Sequence, residues 1–187
     1  MKKEQAYFEE AISLKEYMNS MQEFKEECHS IYEAFKLPDD SHLAEIANKN
    51  LHVLIIAEDW CGDAMLNNPI MRKIAEATSM DVRVVKRDED TTLIDRYLTN
   101  GGRAIPIYIF LNSNNEVVGK WGPRAPKIQQ FVIDQRSILP TKEDPHFEAV
   151  QKEVHIKITN EYLKNQTFWN EVYHSIVESL LSTKLGK

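Results

Sequence analysis

The stretch AEDWCGDAMLNNP, residues 57–69, places Cys61 directly after an apolar run and beside a tryptophan. The run LHVLIIAE, residues 51–58, is short and rich in Leu, Ile and Val, which is typical of a strand that is buried on both faces. The residues after the cysteine predict a helix from about position 64 to 78. Cys61 is therefore expected at the amino end of a helix, where backbone N–H groups lack partners within the helix.

The rest of the central sequence alternates between strand and helix patterns. It predicts further strands and helices, so that the order from residue 51 is β-α-β-α-β-β-α. The additional strands are predicted at residues 81–86, 106–111 and 116–121, and the additional helices at residues 91–99 and 125–137. This order favours an α/β fold with a central four-stranded mixed sheet flanked by helices.

Helical patterns also precede and follow this central part. Apolar residues recur at steps of three and four from Tyr17 to Phe35, which predicts one long amphipathic helix that ends before Pro38. The same spacing after Asp144 predicts a pair of helices. The chain thus divides into an N-terminal helical extension at residues 1–39, a central domain at residues 40–140 and a C-terminal helical extension at residues 141–187. The extensions are expected to pack on the core, with a partner surface as the alternative role.

Composition narrows the class of partner. The 187 residues carry a formal net charge of −6, which argues against a nucleic-acid partner because phosphate binding requires a basic face. Acidic residues interrupt the amino terminus where a signal peptide needs an apolar core, and the longest apolar run, residues 53–57, is too short to cross a membrane. We therefore expect a cytoplasmic protein with no membrane partner. The two cysteines and six histidines show no zinc-like spacing, and the sequence leaves the oligomeric state open.

The element order and four local features together resemble the thioredoxin-like superfamily. Trp60-Cys61-Gly62 is similar to the start of the WCGPC turn of that family. Pro69 follows Cys61 by eight residues, as does the proline that kinks the active-site helix of thioredoxins. Ile105-Pro106 resembles the cis-proline dipeptide, and Gly122 resembles the glycine after the hairpin.

The resemblance implies a thioredoxin-like fold over residues 40–140 and a site built around Cys61 as the catalytic thiol. It also implies a cis bond before Pro106, which would turn the backbone of Ile105 toward Cys61, where it could pair with an extended substrate strand. The substrate would be a protein or small-molecule disulfide. The residues expected to contact it are Trp60, Gly62, Asp63, Ile105 and Pro106.

Three positions depart from the family pattern. Asp63 stands where thioredoxins have proline, Ala64 where they have the resolving cysteine, and Ile55 where they have a buried acidic residue. A thiolate at Cys61 can attack a disulfide, but Ala64 cannot resolve the mixed disulfide that forms. The expected function is therefore monothiol exchange. A low-molecular-weight thiol such as glutathione or bacillithiol would serve as co-substrate, and no bound cofactor is required.

Other interpretations stay open at this point. Cys28 could resolve the mixed disulfide, although its place on the apolar stripe of a helix favours a buried and unreactive side chain. The chain could be a non-enzymatic adaptor that holds a protein partner with its extensions and the Cys61 groove. If Ala64 replaces a native cysteine, the function becomes ordinary dithiol exchange.

The pKa of Cys61 separates the enzyme from the adaptor. An exchange enzyme needs a pKa clearly below the value of about 8.5 for a free thiol, whereas an adaptor does not. The helix start lowers this pKa, and three nearby carboxylates raise it. Arg103, just before the Ile105 loop, is the cation expected to offset the carboxylates, which are Glu58, Asp59 and Asp63.

Overall fold

The computed structural model describes residues 2–184 of the chain. Its strands form one sheet in the order β1-β3-β2-β4-β5. The strands are β1 Ile12–Ser13, β2 His52–Ala57, β3 Val82–Lys86, β4 Ile107–Leu111 and β5 Val117–Trp121. Within residues 2–184 the helices are α1 Glu4–Glu10, α2 Leu14–Ser20, α3 Lys25–Ala34, α4 His42–Asn48, α5 Gly62–Thr78, α6 Thr91–Ile94, α7 Pro126–Arg136, α8 Phe147–Lys164 and α9 Gln166–Leu181.

The centre of the sheet is buried on both faces. Strand β2 runs parallel to β3 and antiparallel to β4, which in turn pairs antiparallel with β5. Every residue of β4 is buried, and so is every residue of β2 after His52. Continuous apolar strands of this kind need helices on both sides. The predicted α/β fold with a mixed sheet flanked by helices is confirmed.

The sheet has five strands, where the sequence predicted four. The extra strand, β1, comes from the N-terminal extension and pairs antiparallel with the edge of β3, with Ile12 opposite Val84. The sequence predicted a helical N-terminal extension, but the extension also contains a strand. A two-residue strand is too short to show the alternation of apolar and polar residues by which strands are recognised.

The prediction of a single helix from Tyr17 to Phe35 is also wrong, because a short break separates α2 from α3. Phe24 lies in the break with a left-handed φ of 52°. The Asp59 carboxylate holds the break in place by accepting the backbone N–H groups of Gln22 and Glu23, at 2.9 and 3.4 Å. The apolar residues on either side of the break still face the core.

The helical extensions belong to the same hydrophobic core as the sheet. Helices α3, α8 and α9 pack on α5, which is the helix that follows Cys61. In α9, Val172 and Ile176 are fully buried, and the Tyr173 hydroxyl donates to the Asp40 carboxylate at 3.0 Å. The C-terminal helices therefore cover part of α5.

Gly122 brings the loop after β5 against the loop before β4. The peptide bonds Ile105–Pro106 and Gly122–Pro123 are both cis, and Gly122 has a φ of +117°. A Cβ at position 122 would lie 2.3 Å from the backbone oxygen of Pro106. Only glycine permits both this backbone conformation and this close approach.

Replacing Gly122 with alanine is expected to lower the free energy of unfolding by about 3 kcal/mol or more, because the side chain adds a clash with Pro106 to the left-handed strain. Gly101→Ala is the matched control, since Gly101 also has a positive φ but has no atom within 4 Å of the point that a Cβ would occupy. It is expected to cost about 1 kcal/mol. Urea unfolding followed by tryptophan fluorescence measures both, and equal losses would contradict the close approach.

Candidate functional site

Cys61 caps the amino end of α5, directly after the loop that leaves β2. The residue is 7% exposed, and its thiol donates a hydrogen bond to the backbone oxygen of Ile105, with a sulfur–oxygen distance of 3.4 Å. The backbone N–H groups of Asp63 and Ala64 lie near the sulfur and lower the pKa of the thiol. These donors are the unpaired N–H groups of the first helical turn. The structure thus brings together the thiol, the helix terminus and the Pro106 loop.

Burial decides the protonation state of Cys61. Loss of solvent raises the pKa of the thiol to about 11, and the negative charge of Asp63 adds to the rise. The backbone N–H groups of the helix and the guanidinium of Arg124 lower the pKa without offsetting burial. At neutral pH the group is therefore a thiol, because the charged form is costly in a site with little solvent.

The Asp63 side chain is held by two partners from other parts of the chain. Arg124 donates from Nε and Nη2 to the two carboxylate oxygens, at 2.7 and 2.6 Å. The Tyr162 hydroxyl donates to the same carboxylate at 2.7 Å. Asp63 therefore faces Arg124 and helix α8, and its carboxylate is fully engaged.

Arg103 is not the cation that offsets the carboxylates, as the sequence had predicted. It forms an ion pair with Asp95 at 2.6 Å, and both side chains are largely exposed. Arg124 takes that place, and sequence reasoning missed both Arg124 and Tyr162. For Arg124 there was a signal, since it lies two residues after Gly122, the glycine expected to approach the Pro106 loop. For Tyr162 the local sequence offers no signal.

The opposite side of the site is open. Trp60 is 41% exposed, and the Arg87 guanidinium lies 4.9 Å from the centre of its ring. Arg87 also donates from Nη1 to the backbone oxygen of Arg103 at 3.2 Å, which ties the Trp60 rim to the segment before Ile105. Gly62 has open space where a Cβ would lie. The turn is therefore more exposed on the side of Trp60 and Gly62 than at Cys61 itself.

The other two carboxylates near Cys61 are bound to backbone groups. Glu58 is buried and accepts the Asp88 N–H at 2.7 Å, and burial raises the pKa of its carboxyl. Asp59 holds the break between α2 and α3. Among the carboxylates, Asp63 has the largest influence on the pKa of Cys61.

Cys28 lies in α3 and is fully buried in the core. Burial raises the pKa of its thiol to about 12. Both cysteines of the chain are free, with no disulfide between them. The environment of Cys28 is that of a packed apolar side chain, which is the role expected from its place on the helix stripe.

Comparison with known proteins identifies the family. A family described as Thioredoxin matches residues 11–142 of the chain. The chain belongs to the thioredoxin family. A thioredoxin from Pyropia yezoensis is 31% identical over 85 residues, which are 44% of this chain and 77% of that relative. The family match begins at residue 11, so it takes in β1, α2 and α3 as well as the central domain.

Two solved structures share the fold of this thioredoxin family member. An HIV epitope scaffold superposes with a TM-score of 0.66 at 14% identity and covers 98% of this chain and 100% of its own. A protein of unknown function from Pseudomonas aeruginosa gives 0.62 at 14% identity, with 94% and 98% covered. At such identity the similarity shows the fold alone, and its coverage includes both helical extensions.

The helices offer no candidate for a membrane span. Across residues 2–184, none is both long and apolar enough to cross a bilayer. The same residues contain no group of three or more His, Cys, Asp or Glu side chains placed to hold a metal ion.

Alkylation of the native protein tests the environment of both thiols. Since the pKa of Cys61 is about 11, its rate with iodoacetamide should rise about tenfold per pH unit from pH 7 to 10 without levelling off. Cys28 should stay unlabelled until the protein unfolds. Mass spectrometry of wild type and Cys61→Ala distinguishes the two sites. A plateau below pH 9 would contradict the buried thiol.

Proposed function

We propose that this thioredoxin family member is a monothiol thiol–disulfide exchange protein, in which Cys61 attacks a disulfide and an external small thiol completes the reaction. The observation that carries the proposal is the position of Cys61. Its sulfur lies at the amino end of α5 and 3.4 Å from the backbone oxygen of Ile105, beside an open face. A disulfide on an extended segment could approach the sulfur there while its backbone pairs with the residue before Pro106.

The proposed reaction consists of three thiol–disulfide exchange steps. The Cys61 thiolate attacks one sulfur of the substrate, a new S–S bond forms, and the leaving sulfur takes up the proton that Cys61 lost. A small thiol then attacks the Cys61 sulfur and releases the reduced substrate. A second small thiol frees Cys61 and leaves as the oxidised small disulfide. The substrate gains two electrons, and two molecules of small thiol supply them.

The predicted contact residues divide into two groups in this proposal. Trp60, with its exposed ring, and Gly62 would line the path of the substrate, and Ile105 with Pro106 would dock its backbone. Asp63 would act on Cys61 and not on the substrate, since its carboxylate is engaged by Arg124 and Tyr162.

A second candidate is a non-enzymatic binding module that uses the same face. The raised pKa of Cys61 favours it, because a pKa of about 11 leaves a thiolate fraction of about 10⁻⁴ at pH 7. The higher nucleophilicity of a more basic thiolate recovers part of that loss, but not all of it. Exchange at Cys61 should therefore be slow at neutral pH and faster in alkali.

Trapping the mixed disulfide separates the two candidates. When the protein is incubated at pH 9 with a peptide that contains a disulfide, Cys61 should form a mixed disulfide that persists until glutathione or another small thiol is added. Mass spectrometry detects the adduct, and Cys61→Ala and Cys28→Ala show which sulfur carries it. If the peptide binds but no adduct forms up to pH 10, the binding module is the correct function.

A second sulfur in the turn should change the dependence on small thiols. Ala64 is fully buried and lies three residues after Cys61, and its backbone N–H is near enough to the Cys61 sulfur to lower the pKa of the thiol. In Ala64→Cys the new thiol should displace the reduced substrate by forming an internal disulfide with Cys61, so that substrate release no longer requires glutathione. A reductant such as dithiothreitol must then reduce the internal disulfide before the next cycle. Ala64→Ser has nearly the same shape without the sulfur and should behave as wild type. Unchanged glutathione dependence in Ala64→Cys would show that position 64 cannot resolve.

A further inference from the structure

The Asp63 carboxylate joins three separate parts of the chain next to Cys61. It lies in the first turn of α5, Arg124 lies in the loop before α7, and Tyr162 lies near the end of α8. The side chains of Asp63 and Arg124 are 12% and 15% exposed, and Tyr162 is buried. A two-pronged arginine–carboxylate pair with a further hydroxyl donor fixes the orientation of the carboxylate.

The same carboxylate and guanidinium act on Cys61 with opposite signs. Asp63 raises the pKa of the thiol, and Arg124 lowers it. While the pair is intact, the two charges partly cancel at the sulfur. Loss of either partner would leave the other charge uncompensated in a poorly solvated place, where its effect on a nearby thiol is large.

A neighbouring contact ties this pair to the substrate dock. Asn67 lies one turn after Asp63 on α5 and donates from Nδ2 to the backbone oxygen of Pro123 at 2.9 Å. Asp63 and Asn67 thus hold Pro123 and Arg124 onto α5. Gly122, just before them, packs against the backbone of Pro106. These contacts connect the Cys61 turn to the Pro106 loop through residues 122–124.

We propose that Arg124 and Tyr162 are positioning residues that hold the Asp63 carboxylate at the Cys61 turn, so that the loop before α7 and the C-terminal extension together influence the reactivity of the thiol. Arg124 limits the negative charge that Cys61 experiences, and Tyr162 carries the influence of α8. The inference extends the proposed function by naming what sets the reactivity of its nucleophile. It gives the C-terminal extension a role at the site besides packing.

Other titratable groups surround Cys61 on the elements packed against it. The phenols and the second thiol have a raised pKa because they are buried, so they stay uncharged between pH 7 and 10. The remaining carboxylates accept backbone N–H groups and are left in place by every variant described below. These groups are Tyr17 in α2, Cys28 in α3, Tyr108 in β4, and Glu58 and Asp59 in the loop after β2.

The test measures the rate of Cys61 alkylation by iodoacetamide from pH 7 to 10 in single and double variants. At pH 8, Asp63→Asn should raise the rate about tenfold, since it removes a negative charge and frees Arg124. Arg124→Gln should lower the rate about tenfold, since it leaves Asp63 uncompensated. The double variant should return toward wild type. Tyr162→Phe should shift the profile in the same direction as Arg124→Gln but less.

Matched controls separate positioning from simple packing. Arg103→Gln removes the same charge from an exposed pair and should leave the profile unchanged. Arg124→Lys keeps the charge but loses the two-pronged bond. It should therefore keep most of the wild-type alkylation rate but lower the free energy of unfolding measured in urea. If Arg124→Gln does not fold, Arg124→Lys and Tyr162→Phe still test the proposal, because both keep most of the packing.

The outcomes distinguish this proposal from the proposed function. Opposite shifts in Asp63→Asn and Arg124→Gln support the positioning role, and equal losses of stability with an unchanged pH profile overturn it. Alkylation needs no disulfide substrate. A protein that forms no mixed disulfide but shows the opposite shifts would therefore refute exchange while keeping the positioning role.

Discussion

The chemistry of the site depends on the burial of Cys61 where the central strand β2 meets helix α5. The strand is buried on both faces, so the residues that follow it also lie inside the protein. Helix α5 begins there, and the Cys61 side chain at its start is still buried. The same junction supplies the backbone N–H groups that favour a thiolate and the low solvation that opposes it. Burial has the larger effect, so Cys61 stays protonated, and its thiol donates a hydrogen bond to the Ile105 carbonyl.

The helical extensions follow from the same constraint, because α5 must be covered along its length. Helices α3, α8 and α9 pack on it, and most of its residues are buried. Cover on the α8 side brings Tyr162 to the first turn of α5, next to Asp63. The side of Trp60 is left uncovered. The extensions thus leave the Trp60 side of the site uncovered and place the Tyr162 hydroxyl beside Asp63.

Local patterns in the sequence predicted the central strands, α5 and the place of Cys61, since each rests on neighbouring residues. What escaped prediction depends on contacts distant along the chain. The break between α2 and α3 is held by Asp59, and β1 exists only because the edge of β3 lies beside it. The partner of Asp63 lies in the loop after β5, whereas the place of Arg103 just before the Ile105-Pro106 loop had pointed to Arg103 instead of Arg124. The pKa of Cys61 required knowledge of its burial.

The aspartate at position 63 is more than a replacement for the proline of the thioredoxin turn. Its side chain raises the pKa of Cys61 by charge, while its backbone N–H, near the sulfur, lowers that pKa. Proline would remove both contributions, because it has neither the carboxylate nor the N–H group. It would also remove the carboxylate that Arg124 and Tyr162 share, leaving Arg124 with the side-chain oxygen of Gln129 as its partner. The aspartate therefore couples the local geometry of the turn to the distant helix α8, and asparagine separates its charge from its backbone contribution in a way that proline cannot.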